Sequence, residues 1–204
     1  MTSVIDNFFT TLGIFLLILA IAAVFIIVIF NTLVKYRNFV VNAFAQIDVQ
    51  LHRRHDLIPN LVNTCKAYLD HEHATLKQVT EARNAALSCL EQAKQAPSNG
   101  SLIKKLAGAE NMLTQALSGL QVTIEDYPEL KANETVKNLH EELVSTENKI
   151  AFARQAYNDE VMQYNTYKQS FPNNIVAAKF GHKDDASMLE LAQSEYRQAP
   201  SVQL

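Results

Sequence analysis

The chain has 204 residues, a formal net charge of −3 and 19% charged side chains. This balance gives no reason to expect nucleic acid as a partner, because nucleic-acid-binding proteins carry strongly basic surfaces. Few glycines and prolines and abundant Ala, Leu, Gln, Glu and Lys favour helices, and the chain is long enough for an anchor and one domain with its own core.

An uncharged apolar block of 19 residues runs from Leu12 to Phe30. A helix that crosses a bilayer needs about 20 apolar residues, whereas the apolar region of a cleaved signal peptide has about 7–15. We therefore predict a retained single-pass anchor in the lipid bilayer. No Lys or Arg precedes the block, whereas Lys35 and Arg37 follow it, which predicts an outside N-terminus and a cytoplasmic C-terminal domain.

The anchor is expected to continue as a rigid helical stalk, because no Gly or Pro occurs from Ile14 to Ile58. Apolar residues recur there mostly in 3- and 4-residue steps, at Leu33, Val40, Phe44, Ile47, Leu51 and Ile58. At Pro59 the helix either breaks or only kinks. We favour a break or sharp kink near His55–Pro59, because Asp56 could cap a new helix with Pro59 in its first turn.

Three further long helices are predicted. The first runs from about Leu57 to Ala93, with Leu61, Cys65, Leu69, Leu76, Val79, Ala86 and Leu90 inward. A loop at 95–101 separates it from a helix at about Ser101–Tyr127. After a turn at 128–133, with Asn133 as a possible cap, the last helix keeps near-heptad spacing through Val136, Leu139, Leu143, Thr146, Ile150, Ala153, Tyr157, Val161, Tyr164 and Phe171.

A short apolar run, Ile175–Phe180, and a small helix from about Asp184 to Tyr196 follow. Helices as long as these pack side by side in bundles. We predict an all-α chain in which an N-terminal transmembrane helix continues into a long, coiled-coil-like antiparallel bundle. Its predicted parts are a short N-terminal segment, the anchor, the bundle domain and a C-terminal tail, at 1–11, 12–34, 35–196 and 197–204.

The residues that could carry chemistry form no recognisable site. His52 and His55 share a helix face, but Arg53 and Arg54 flank them and no carboxylate stands at a useful spacing. His71-Glu72-His73 lacks the His-Glu-x-x-His spacing of zinc proteases, and no Gly-x-Ser-x-Gly or glycine-rich phosphate loop occurs. We therefore expect no cofactor, no metal site and no catalytic residue, with a hidden hydrolase as the remaining enzymatic alternative.

The two cysteines are expected to be small buried residues. With Cys65 and Cys89 on one helix, their separation would be about 36 Å, far beyond the disulfide limit of about 7 Å. An intrachain disulfide is therefore not expected.

The densest basic pair is Arg53-Arg54. It is either a solvated helix end, a contact to lipid headgroups, or a partner for acidic residues of another helix. Together with Phe44 and Asp56, these two arginines are our candidate interaction residues.

Residues 42–62 read Asn42-Ala-Phe-Ala-Gln-Ile-Asp-Val-Gln-Leu-His-Arg-Arg-His-Asp-Leu-Ile-Pro-Asn-Leu-Val62 and resemble the signature of the LemA family. Shorter similarities lie at Asn31–Asn38, Tyr68–Glu72, Ala82-Arg83, Tyr164-Asn165, Phe171-Pro172, Phe180-Gly181 and Ala199-Pro200-x-Val202. Phe44 stands where the family usually has Trp, and it keeps an aromatic side chain at that position.

The resemblance implies a bacterial single-pass protein of the cytoplasmic (inner) membrane, with a helical domain and no established enzymatic activity. One relative takes part in forming magnetosome membranes, and others occur beside membrane peptidases or TPM-domain proteins, which are possible membrane partners. We therefore expect a non-enzymatic membrane scaffold that oligomerises, or that organises the membrane or partner proteins. The alternative is an adaptor or regulatory subunit of a membrane protease or signalling complex.

Overall fold

A computed structural model describes residues 2–69 and 72–191, and these residues form helices without any strand. The helices are α1 (Thr2–Lys66), α2 (His73–Gln95), α3 (Gly100–Asp126), α4 (Pro128–Ala132), α5 (Glu134–Gln169) and α6 (Asn173–Lys179). The prediction of an all-α chain is confirmed.

The long helices form an antiparallel bundle around the second half of α1. α2 returns along α1, α3 reverses again beside α2, and α5 runs back along α1. Ring contacts fix the direction of α5: the Phe44 and Tyr157 centroids lie 5.8 Å apart, and those of Tyr36 and Tyr167 lie 5.2 Å apart. Residue numbers therefore fall along α1 as they rise along α5, which confirms the antiparallel arrangement.

The predicted break near His55–Pro59 is wrong, because α1 continues through Pro59 to Lys66. Asp56 consequently caps no helix. Proline has no N–H to donate to the carbonyl oxygen of His55, four residues earlier. Nε of Arg83 on α2 donates to that oxygen at 2.7 Å, so the carbonyl is satisfied without a break in the helix.

The helix predicted at 57–93 is in fact the end of α1, a turn and α2. In this turn the backbone N–H groups of Tyr68 and Leu69 both bond to the carbonyl oxygen of Cys65 at 3.0 Å, and the Leu69 side chain is buried. Cys65 and Cys89 therefore lie on different helices, and both thiols are free. The seven residues predicted to face inward are nevertheless all buried.

The next two predictions agree with the structure. α3 covers Gly100–Asp126, against a prediction of about 101–127. Asn133 caps α5 as expected, because its side-chain oxygen accepts the N–H groups of Thr135 and Val136. The predicted turn between them holds the short helix α4.

The C-terminal part differs from its prediction. Phe171 was predicted to face inward, but it follows the end of α5 and 81% of its surface is exposed. The small helix predicted at 184–196 is wrong over 184–191, which is not helical. The rest of that prediction and the 197–204 tail lie outside the described residues.

Residues 182–191 instead form a strap along α5. The side chain of Asn165 accepts from the N–H of Ala186 at 3.0 Å and donates to its carbonyl at 2.8 Å. Asn158 makes the same pair of bonds with Leu189, at 2.8 and 3.3 Å. Seven helical residues rise about 10.5 Å, so the three residues from 186 to 189 must be nearly extended. The backbone N–H and C=O groups of Ala186 and Leu189 bond to the asparagine side chains and are therefore not available for helical hydrogen bonds.

The first part of α1 is the one described helix long and apolar enough to cross a membrane, by length and composition. Its apolar side chains from Leu12 to Val28 are exposed, and bundle packing begins at Ile29 and Leu33. Packing thus starts inside the predicted 12–34 anchor, and α1 is not divided at either end of that range. The predicted stripe on α1 from Leu33 to Ile58 is fully buried, as expected.

Candidate functional site

The buried stripe of α1 contains two ionisable residues, Arg54 and His55, between Leu51 and Ile58. They lie where the bundle core divides into two apolar clusters. One cluster ends at Leu51 on α1, and the other begins at Ile58. A polar layer therefore separates two apolar halves of the core. One half lies nearer the exposed apolar segment of α1, and the other lies at the far end of the bundle.

Three helices supply the charges of this polar layer. Nη2 of Arg54 donates to Glu110 Oε2 on α3, and Nη1 donates to Glu147 Oε2 on α5 at 2.7 Å. His55 Nε2 lies 3.0 Å from the second oxygen of Glu110. The Arg54, His55 and Glu110 side chains are at most 3% exposed, so the ion pairs between them are buried, while Arg54 Nε has no hydrogen-bond partner among the described residues.

The neighbouring groups of the polar layer favour the ionised form of Glu110. Burial by itself raises the pKa of a carboxyl, but the hydrogen bond from His55 and the charge of Arg54 outweigh it, so the Glu110 pKa lies below its ordinary value. Nδ1 of His55 has no hydrogen-bond partner among the described residues. An ionised Glu110 oxygen can only accept, so Nε2 of His55 carries the proton that is donated in this hydrogen bond.

A second, more exposed set of ion pairs ties α2 to α1 near the layer. Lys94 Nζ lies 3.1 Å from Asp48 Oδ2, and His52 Nε2 lies 3.1 Å from Glu91 Oε1. The hydrogen bond to Asp48 and its charge raise the pKa of Lys94. His52 thus contacts a carboxylate of α2, whereas His55 contacts a carboxylate of α3.

The four candidate interaction residues fall into two groups. Phe44 and Arg54 are buried, and Arg54 pairs with Glu110 and Glu147 on two other helices of the same chain. Arg53 and Asp56 are exposed. Arg53 lies 3.7 Å from Glu142 on α5, with half of each side chain in solvent. An interaction role for Arg53 and Asp56 stays a prediction.

A groove of about 230 Å³ lies beside the polar layer, between α3 and α5. Its apolar wall includes Leu61, Leu120, Ile124, Leu143 and Ile150, and Arg54, Glu147 and Arg154 are among its polar lining residues. Leu191, the last described residue of the strap, lies at this groove. Within the described ranges, no three His, Cys, Asp or Glu side chains converge as metal ligands.

Sequence reasoning missed Glu110, Arg83 and the two strap-binding asparagines. Glu110 could have been found, because it stands in the apolar stripe of α3 between Leu106 and Leu113, where a lone acid needs a buried partner. The asparagines also left a signal, since the dipeptide Tyr-Asn recurs after seven residues at 157–158 and 164–165. Arg83 had no comparable local signal.

Comparisons with known proteins cover most of the chain. The model of the LemA family matches residues 43–204. Magnetosome protein MamQ 2 of Paramagnetospirillum magneticum is 27% identical over 169 residues, which are 76% of this chain and 62% of that protein. Magnetosome protein MamQ of Magnetospirillum gryphiswaldense is 25% identical over 189 residues, which are 82% of this chain and 70% of that protein.

Proposed function

The chain belongs to the LemA family, and on this basis we propose that it is a non-enzymatic, membrane-anchored scaffold that assembles with copies of itself. The observation that carries the proposal is the continuity of α1. The same helix provides the apolar segment and the buried centre of the bundle. Anchoring in a bilayer would therefore hold the bundle rigidly above the surface, instead of leaving it on a flexible tether.

The two relatives support a role at a membrane-bound compartment, because both are magnetosome proteins. The chain spans only 62% of the length of the Paramagnetospirillum relative, so activities of that whole protein are not transferred. The anchor orientation, with an outside N-terminus and a cytoplasmic bundle in the bacterial inner membrane, is part of the proposal. Digestion of the bundle by protease added to intact spheroplasts would contradict it.

The outward face of α1 is the surface that we assign to self-association. Val49, Arg53 and Asp56 are spaced i, i+4 and i+7, all three are exposed, and Val49 is 59% exposed. The face therefore combines an exposed apolar side chain with one positive and one negative charge, which suits contact with a second copy. Anchoring in one plane raises the local concentration, so weak lateral contacts suffice for assembly.

The test is the size of the full-length protein in nanodiscs or mild detergent, measured by light scattering after size-exclusion chromatography. We expect oligomers in the wild type and a shift to smaller species in Val49→Lys. Val122→Lys is the matched control, because Val122 is equally exposed but lies on α3. A monomeric wild type, or equal sizes for both variants, would contradict the assignment.

The groove between α3 and α5 favours a second candidate, an adaptor that binds a membrane protein of the peptidase or TPM-domain type. An apolar groove flanked by helices is a common docking site for a partner helix. Affinity capture and mass spectrometry separate the two functions. The adaptor predicts a monomer or small oligomer with one dominant foreign partner, whereas the scaffold predicts mainly copies of itself.

A further inference from the structure

The bundle ends in an apolar surface that no described residue covers. We call this surface the foot and define it as residues 171–180, which contain α6. The exposed fractions of Phe171, Ile175 and Phe180 are 81%, 53% and 51%. On the inner side, Val176 and Ala177 are buried against the core, so the foot has one face in the bundle and one apolar face outside it.

The position of the foot along α1 is fixed by side-chain contacts. The rings of Phe30 and Phe180 lie 5.8 Å apart, and α6 packs on α1. Phe30 is the last residue of the uncharged apolar block. The foot therefore lies at the height where that block ends and the charged part of the helix begins.

The composition of the foot matches that height. Aromatic side chains are enriched at the boundary between lipid chains and headgroups, and basic residues lie just outside it. Lys179 in the foot and Lys183 just after it are exposed, and Lys35 is exposed on α1 five residues beyond Phe30. The apolar side chains and the lysines are thus arranged as in an element that lies on an anionic membrane surface.

We propose that the foot inserts Phe171 and Ile175 into the bilayer beside α1, so that the bundle rests on the membrane at two points. The bilayer is favoured over a second copy because the foot packs through Phe180 on Phe30, directly after the exposed apolar surface of α1, whose last exposed side chain before the bundle is Val28. The inference rests on the proposed anchoring of α1 but not on self-association. A second contact beside the anchor would fix the tilt of the bundle and widen the headgroup layer on one side.

The absence of tryptophan from the chain permits a direct test. Phe171→Trp and Ile175→Trp each place a single tryptophan in the foot of the full-length protein. Phe152→Trp is the matched control, because Phe152 is 73% exposed on α5 but roughly 25 Å from the end of that helix. Phe25→Trp, inside the apolar block, reports the anchoring of α1 independently.

The variants are reconstituted into vesicles of phosphatidylcholine and phosphatidylglycerol, with and without bromine on the lipid acyl chains. We expect blue-shifted emission and bromine quenching at positions 171 and 175, at least half as strong as at position 25. Position 152 should show neither effect.

The outcomes separate the two proposals. Quenching at position 25 without quenching at 171 and 175 would overturn the foot but leave the anchor intact. Blue-shifted emission at 171 without quenching would show that protein covers the foot, which also overturns the inference. Absence of quenching at position 25 would instead show that the anchoring of α1 has failed.

Discussion

Arg83 supplies the hydrogen bond that Pro59 removes from α1. Proline has no N–H, so the carbonyl oxygen of His55 lacks the donor that a helix normally provides four residues later. Nε of Arg83 donates to this oxygen at 2.7 Å instead. A residue of the neighbouring helix thereby keeps the longest helix of the fold continuous.

Replacement of this donor tests the relationship. Arg83→Met should lower the free energy of unfolding by about 1–3 kcal/mol, because a buried carbonyl loses its partner. In a Pro59→Ala background, where the backbone N–H returns, the same change should cost clearly less. Thermal unfolding of the full-length protein in mild detergent, followed by circular dichroism, gives both values. Equal losses in the two backgrounds would contradict the explanation, and Lys77→Met, at an exposed ion pair on α2, serves as control.

The neighbouring arginines should differ sharply in their contribution to stability. Arg54→Met leaves the buried carboxylate of Glu110 with His55 alone, and loss of one partner of a buried pair costs about 3–5 kcal/mol. Arg53→Met removes an exposed contact and should cost less than about 1 kcal/mol. Denaturant unfolding of both variants measures the contrast. Similar losses for the two variants would mean that the polar layer does not form.

The pH dependence of stability should report on Glu110. Its pKa in the folded protein lies below the ordinary value of 4.5, so its contribution is complete above pH 4.5 and is lost as the pH falls through the lowered pKa. The difference in unfolding free energy between wild type and Glu110→Gln should therefore shrink below pH 4.5. Unfolding measured across that range tests this expectation. A difference that stays constant, or grows toward acid, would contradict it.

The two thiols should react at very different rates. Burial raises the pKa of Cys65 to about 11, and a thiol reacts as its thiolate. Cys89 is only half-buried. Labelling with a thiol reagent at neutral pH should modify Cys89 in the native protein and Cys65 only after unfolding. Cys89→Ser should thus abolish native labelling, while Cys65→Ser should leave it unchanged, and the reverse pattern would refute the burial of Cys65.

Apolar spacing allowed the buried faces to be predicted well, because it depends only on helical geometry. The seven residues from Leu61 to Leu90 are all buried, although a turn divides the helix that was predicted for them. That turn has no Gly or Pro. It is stabilised by the burial of Leu69 and by a hydrogen bond from Asn133 to the Tyr68 hydroxyl at 3.1 Å, which are tertiary contacts.

Contacts between helices, which a local sequence pattern does not reveal, also explain the errors at Pro59 and in the polar layer. A proline beside a good capping residue is a sound local signal for a break, and it is overruled here by Arg83 from another helix. The option that Arg54 binds an acid of another helix followed from its charge. The sequence did not predict which acids bind Arg54, because Glu110 and Glu147 reach this side chain only through the packing of α3 and α5 in the bundle.

The pairing of α1 with α5 also sets the order of events during synthesis. Arg54 and Glu147 are separated by 93 residues, which a ribosome needs roughly 5–20 s to translate. Throughout that interval the stripe of α1 is already made but lacks its partner helix. The nascent chain must therefore keep the apolar face of α1 out of aggregates until α5 has been made, although Glu110 of α3, 56 residues after Arg54, is available earlier. Arg54 helps in this task, because it interrupts the apolar face with which the waiting helix will pack on α5.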